Sequence, residues 1–216
     1  MPMDDVLSAL LGAATREGFV EQEFHAGRDF RRCAGHAEST TADEVVAFWQ
    51  DAGPTRWFAK DVAFDRRFRE TFLDAHEMAA RGEFNGWQTK PNGALALILL
   101  LDQFPRNAFR GTPRMYTTDA DARRIAAATV ARGLDRRLSN QLRIFVYLPF
   151  SHSEDIADQD RSVTLYRQLG EVAVSIPERH RDIIRRFGRF PHRNLILGRD
   201  TTAREQEFLD CGGFAG

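Results

Sequence analysis

The side chains best suited to chemistry lie in three short polar segments of this chain. The first, DQFPRN, runs from Asp102 to Asn107 and follows a completely apolar stretch. An aspartate at the carboxyl end of an apolar helix faces the negative end of the helix dipole, so it needs a cation or several hydrogen-bond donors to stay ionised. Arg106 is the nearest cation in sequence, with Arg189 or Arg193 as alternatives. The segment predicts either a buried ion pair that holds a loop in place or one edge of an active site.

The second segment is PFSHSED, which ends at Asp155. Ser151 and Glu154 have the spacing of a capping box, which predicts that Ser151 caps the next helix and that Glu154 binds back to it. His152 would then lie at the positive end of that helix, where a neutral imidazole that accepts a proton or binds a metal is favoured. Asp155 shares a helical face with His152. The segment therefore predicts a polar stripe at the start of a helix.

The third segment is RRFGRFPHRN followed by LGR, and it alternates cations with aromatic and proline residues. Gly188 is typical of the residue that ends a helix. Beyond it come Arg189, His192, Arg193 and Arg199, and such a concentration of cations suits the binding of a carboxylate or phosphate. The simpler interpretation is a solvated basic loop, but the phenylalanines between the cations favour a segment that packs against the core.

Together the three segments predict a single polar cleft. His152 and His192 are the candidate general acid or base, and Glu154 and Asp102 are the candidate catalytic carboxylates. His180 is predicted to be a core histidine that supports the site from behind. We predict neither a metal nor a cofactor, because no histidine has diagnostic metal-binding spacing and no GxGxxG, P-loop or GxSxG motif is present. The candidate ligand-binding residues are Arg106, Asn107, Asp155, Arg189, Arg193, Asn194 and Arg199.

Composition narrows the class of protein. The 30 basic and 31 acidic residues nearly cancel, so no overall positive field favours nucleic acid. The longest apolar run covers residues 94–101, far short of the roughly 20 residues that span a bilayer, so we expect no membrane segment. Cys33 and Cys211 have no CxxC spacing, and the chain begins with acidic rather than basic residues. These features predict a cytoplasmic protein.

The elements that must position these segments are helices. Residues 1–40 are interpreted as an N-terminal appendage and residues 41–216 as a single helical domain. Apolar residues at three-to-four spacing, with breaks at Gly and Pro, predict an all-α fold of antiparallel helix pairs. An aromatic cluster from Phe48 to Phe64, which includes Trp57 and Phe58, is predicted to be core. The predicted helices cover 43–50, 65–81, 91 to a stop at Pro105, 119–132, 138–147 with a stop before Pro149, 151–174, 177–187 and 203–211.

Four motifs, FW…WFAKDVAFD, LALILLLDQFPRN, LPFSHSED and FGRFPHRNLILGR, occur in this order along the chain. They resemble a bacterial family known as domain of unknown function 924, and the resemblance covers about residues 42–211. It implies a tetratricopeptide-like α–α superhelix fold. It implies no reaction, and it assigns no role to the N-terminal appendage.

Two functions of different classes remain open at this stage. In the first, the cleft binds a small anionic molecule through its arginines, and His152 or His192 acts as general acid or base in hydrolysis or proton transfer on it. In the second, the chain is a helical scaffold for a peptide or protein, and the polar segments only hold loops. A narrow pocket with inward-facing charges favours the first, whereas a broad groove lined by surface aromatics favours the second.

Overall fold

The computed structural model describes residues 40–214, and this part of the chain is 74% helical and contains no strand. The predicted all-α class is confirmed. Nearly all of the predicted appendage, together with Cys33, lies outside the described residues. None of the described helices is both long enough and apolar enough to cross a membrane.

The predicted helices are present, with changed ends at several positions. Short 3₁₀ turns occupy Asn85–Thr89, Pro113–Tyr116, Asp135–Arg137, Glu171–Val174 and Pro191–Arg193, and a π-helical turn occupies Leu99–Gln103. The α-helices are α1 (Ala42–Ala52), α2 (Pro54–Trp57), α3 (Val62–Ala80), α4 (Pro91–Ile98), α5 (Phe104–Ala108), α6 (Asp119–Ala131), α7 (Asn140–Ser151), α8 (Ile156–Arg167), α9 (Ser175–Phe187) and α10 (Ala203–Asp210).

Helix α4 lies at the centre of the fold. Its sequence is apolar on every side, and from Ala94 to Leu101 every residue is at most 1% exposed. Pro91 occupies the first turn, where its missing amide costs nothing. The helix packs against α1, α6 and α7. Gly93 allows the close approach of the preceding turn, because a Cβ atom there would overlap the carbonyl oxygen of Trp87.

Pro105 does not end the central helix, contrary to the prediction. The chain widens into the π-helical turn, in which the Phe104 amide donates to the Leu99 carbonyl five residues back, and continues as α5. Two side chains bind the carbonyl oxygens that this arrangement leaves free. His76 Nδ1 binds the oxygen of residue 100 at 2.9 Å, and Thr118 Oγ1 donates to the oxygen of residue 101 at 2.5 Å. These bonds from α3 and from the residue before α6 let a wide turn persist inside the core.

Pro149 does not stop α7 either. The helix was predicted to end at Tyr147, yet it continues through Pro149 to Ser151. A proline inside a helix costs about 3 kcal/mol. Every residue from Ile144 to Ser151 is buried, so tertiary packing outweighs this cost.

The predicted capping box at Ser151 is therefore wrong. Ser151 is the last residue of α7, and its Oγ forms a hydrogen bond with Ser162 Oγ at 2.6 Å. Helix α8 begins later than predicted and is capped by Asp155, whose carboxylate accepts from the amide of Ala157 at 2.7 Å. His152 consequently lies at the negative end of α7 and not at the positive end of the next helix.

The buried apolar residues form two clusters. The larger one is built on α1, α3, α4 and α7 and contains most of the predicted aromatic core. The smaller one consists of Ile183, Ile184 and Phe190, with Phe187, Phe208 and Phe214 packed against it. The more specific prediction of a tetratricopeptide-like superhelix stays a prediction.

Candidate functional site

A cavity of about 180 Å³ lies between the two apolar clusters and is lined by residues of both. Trp57 and Phe58, which the sequence predicted to be core, form part of its wall. The polar lining comes from the π-helical turn, from α5 and from the segments after α7 and α9. Its polar side chains are Lys60, Gln103, Arg106, Asn107, Arg110, Tyr116, His152, His180, His192 and Arg193.

Asp102 is fully buried behind this lining, as the sequence predicted. Its Oδ1 lies 3.2 Å from Arg106 Nη1 and 2.8 Å from His152 Nδ1, and its Oδ2 accepts from Gln103 Nε2 at 2.7 Å. Burial alone would raise the pKa of Asp102, but the Arg106 charge, the His152 ring and these hydrogen bonds outweigh it and hold the pKa well below its usual range. Asp102 is thus a carboxylate that can only accept hydrogen bonds.

The contact with Asp102 sets the tautomer of His152. Since a carboxylate only accepts, Nδ1 of His152 carries the proton, and Nε2 is the ring nitrogen with a free lone pair. Burial lowers the pKa of His152, and the neighbouring Arg106 charge lowers it further, so the ring is neutral despite the carboxylate beside it. Within residues 40–214, Nε2 has no hydrogen-bond partner. This arrangement presents a neutral base at the cavity.

Arg106 is a cation whose charge is already balanced. Its Nη1 and Nη2 bind both oxygens of Asp119 at 2.7 and 3.0 Å, and Nη1 also donates to the Asp102 carbonyl at 2.8 Å. Burial by itself would lower the pKa of Arg106, but the charges of Asp102 and Asp119 raise it above its usual value. The guanidinium therefore ties the π-helical turn to the start of α6.

Arg193 differs from Arg106, because it is buried without a carboxylate. It is 7% exposed, and among the described residues no carboxylate oxygen lies within salt-bridge distance of its guanidinium. Nη2 donates to the carbonyl of His152 at 3.0 Å, and Nε has no partner in the described part of the chain. The guanidinium stands 4.7 Å from the ring centre of Tyr116 and 4.5 Å from that of Phe190. Burial and the Arg106 charge both lower the pKa of Arg193.

Two further histidines line the cavity beside Phe214. The ring centres of His180 and His192 are 4.7 and 5.0 Å from that of Phe214. Burial, with the positive charges and histidines nearby, lowers the pKa of His180 to about 3 and that of His192 to about 4. Both rings are therefore neutral and add no charge to the cavity. His180 is buried, as predicted, but it lines the cavity directly.

The reasoning from sequence predicted Arg106 and Asn107 but missed Tyr116, Gln103 and Arg110. Gln103, Asn107 and Arg110 share with Arg106 the spacing of one helical face, and this whole face lines the cavity. That spacing was readable in the sequence, but the expected helix end at Pro105 hid it. Tyr116 lies in a 3₁₀ turn after the first of the three segments, and no local pattern marks it. Burial raises the pKa of Tyr116, so it carries a hydroxyl proton.

Several predicted site residues hold loops instead of lining the cavity. Arg189 binds both oxygens of Glu205 at 2.6 and 2.8 Å, and its hydrogen bond lowers the pKa of Glu205. Glu154 accepts from Arg199 at 2.9 Å and from the Phe190 amide at 2.9 Å.

Two of the candidate ligand-binding residues also lie elsewhere. Asp155 caps α8, and the fully buried Asn194 donates to Thr201 Oγ1 at 3.4 Å. Of the predicted site residues, the cavity lining contains Arg106, Asn107, His152, His192 and Arg193. It does not contain Glu154, Asp155, Arg189, Asn194 or Arg199.

The chain is similar to known proteins over most of its length. Residues 45–213 match the family model described as "Bacterial protein of unknown function (DUF924)". A solved structure of the protein of unknown function ATU0120 from Agrobacterium tumefaciens is 54% identical, with a TM-score of 0.78 over 79% of this chain and 97% of that chain. No curated protein matches the chain. The family match covers far more than half of the sequence and agrees with the four motifs, so the chain belongs to this bacterial family.

Proposed function

We propose that the cavity binds a small anionic molecule and that His152, oriented by Asp102, transfers a proton to or from it. The observation that carries this proposal is Arg193, a buried guanidinium with no carboxylate partner among the described residues. A buried charge without a partner costs several kcal/mol. An anion bound beside Arg193 would offset that cost.

The proton transfer follows from the Asp102–His152 pair. A ligand or water hydroxyl that donates to His152 Nε2 can pass its proton to the ring, and the resulting imidazolium is stabilised by the Asp102 carboxylate 2.8 Å away. The ring of Tyr116 lies beside Arg193 and lines the same cavity, and its hydroxyl, which carries a proton, can donate to the same anion.

The alternative of a peptide-binding scaffold has less support. It calls for a broad groove lined by exposed aromatic side chains. The large exposed apolar residues in the described part of the chain are Val62, Ile156, Val172 and Leu195, and none of them is aromatic. The charged and imidazole groups instead lie around a cavity of small volume.

Thermal unfolding in the presence of sulfate, phosphate, succinate or benzoate, each compared with chloride at equal ionic strength, tests the binding. We expect at least one of these anions to raise Tm saturably, by about 5 to 10 °C at a hundredfold excess over Kd. The shift should vanish in Arg193→Met and persist in Arg189→Met, the matched control whose guanidinium lies outside the cavity. A shift that survives in Arg193→Met, or no shift with any of the four anions, contradicts the proposal.

The proton-transfer part is tested by ¹⁵N NMR of the His152 ring. The proton is expected on Nδ1 at pH 7 in the parent protein, and Asp102→Asn should redistribute it between the two nitrogens. A ring that is protonated on Nε2 in the parent contradicts His152 as a base toward the cavity.

A further inference from the structure

The lining of the cavity has two chemically different walls. Arg106, Tyr116, His152 and Arg193 contact one another and form the polar wall. The apolar wall consists of Trp57, Phe58, Ile144 and Leu148. Its two aromatic rings lie 5.0 and 5.8 Å from the ring of residue 145, next to Ile144 on α7, and Leu148 follows one turn later. A ligand that fills the cavity therefore meets both ions with hydrogen-bonding groups and hydrocarbon side chains.

The charges around the cavity favour a ligand with no more than one negative charge. Among residues 40–214, the lining includes no Asp or Glu. Behind the lining, Asp102 and Asp119 carry two negative charges against the single positive charge of Arg106, and Arg110 binds Asp65 at 3.0 Å. Lys60 is exposed to solvent, which screens its charge. Since the histidines are neutral, Arg193 brings the sum of these buried charges to zero, although no carboxylate of residues 40–214 lies within salt-bridge distance of its guanidinium. A monocarboxylate bound to Arg193 adds one negative charge beside Asp102, whereas a phosphate dianion adds two.

The volume limits the size of the ligand. At about 180 Å³ the cavity is small, and a nucleotide or a folded peptide would extend beyond it. It is enough for a carboxylate attached to one ring or to a short aliphatic chain.

We infer that the ligand of this cavity is a small monocarboxylate with an apolar body, whose carboxylate pairs with Arg193 and whose body packs on the apolar wall. The inference rests on the proposed function and narrows its ligand class. It also explains why Trp57 and Phe58 belong to the lining of a polar site: burial of apolar ligand surface against them supplies affinity that a small ion lacks.

Calorimetric titration of the parent protein with acetate, butyrate and hexanoate tests both walls at once. We expect Kd to fall about fourfold for each added methylene until the apolar wall is covered, with a negative heat-capacity change. Hexanol, which keeps the body and lacks the charge, should bind much more weakly than hexanoate. Phe58→Asn should weaken hexanoate more than acetate, whereas Phe84→Asn, a half-buried aromatic residue outside the cavity, should affect neither.

Three outcomes overturn the inference, and they differ in what they mean for the proposed function. If inorganic phosphate or acetate binds as tightly as hexanoate and Arg193→Met abolishes that binding, the anion site stands and the ligand class is wrong. If hexanol binds as tightly as hexanoate, the carboxylate has no part in recognition. If none of these probes, phosphate included, binds the parent protein, the inference and the proposed anion site are both wrong.

Discussion

The arginines in the segment from Gly188 to Arg199 lie in two different environments. Arg189 and Arg199 end in carboxylate pairs with Glu205 and Glu154, and both remain about one-third exposed. Arg193, between them, is buried and faces a carbonyl and two aromatic rings. The two outer pairs bind both ends of the segment to the rest of the protein, and the guanidinium of Arg193 between them lines the cavity. A charge that a protein buries without balancing it is a better sign of a binding site than a charge that is paired.

The largest effect on stability is expected at Asp102, which binds both Arg106 and His152 behind the cavity lining. Asp102→Ala should lower the free energy of unfolding by about 3 to 5 kcal/mol, because Arg106 loses a buried partner and His152 its acceptor. Urea denaturation measures the loss. Asp155→Ala, which removes only an exposed helix cap, should cost about 1 kcal/mol. An Asp102→Ala protein as stable as the Asp155→Ala protein would show that the buried contacts of Asp102 contribute little to stability.

The neutral histidines predict a loss of stability in mild acid. His180 and His192 have pKa values of about 3 and about 4 in the folded protein, whereas an unfolded histidine titrates near 6.5. Between these values the unfolded chain binds more protons, so acid favours unfolding. The groups that face these rings are Arg193, His152 and Arg106, all of which oppose protonation, and Glu154, which favours it at His192.

From pH 6.5 to 5 we expect the free energy of unfolding to fall by roughly 2 kcal/mol for each such histidine. The carboxylates with lowered pKa titrate below this window, so they do not contribute. Urea denaturation at the two pH values gives the slope for the parent and for His192→Asn. An equal slope in both proteins would mean that His192 is not held neutral by the fold.

Replacement of Arg193, the inner arginine, is expected to abolish anion binding without lowering the stability of the protein. Arg193→Met removes a buried cation that has no carboxylate partner, so the ligand-free protein should keep its stability or gain about 1 kcal/mol while it loses anion binding. Arg189→Met should lower Tm, because it leaves the buried Glu205 without its bidentate partner. If Arg193→Met instead lowers Tm more than Arg189→Met does, the contrast between the inner and outer arginines is wrong.

The smallest effect on stability is expected at the pair formed by Arg199 and Glu154. Arg199→Ala should lower the free energy of unfolding by less than about 1 kcal/mol, because its pair with Glu154 is partly solvated. Salt at about 0.5 M should remove most of the difference from the parent. A large loss of stability that persists in high salt would show that this pair is not screened by solvent and would contradict the prediction.

Local sequence predicted the helices well, and its errors share one cause. The all-α class, the buried central helix and the burial of Asp102 beside an arginine follow from apolar periodicity and from the position of a charge after an apolar run. The errors at Pro105, Pro149 and Ser151 occur where a local signal for a helix end is overridden. His76, Thr118 and the packing around α7 come from distant parts of the chain, and no short window contains them.

The sequence by itself determined which residue types were available to the site, and the tertiary structure decided which of them face one another. Three polar segments supplied the arginines, histidines and carboxylates, which stood out in the sequence because they follow or interrupt apolar stretches. Only the fold turned Arg193 inward and Arg189 and Arg199 outward, because the carboxylates that hold the outer two lie on α10 and after α7. Tyr116 and the apolar wall joined the site for the same reason: contacts between distant segments depend on packing, which local spacing does not encode.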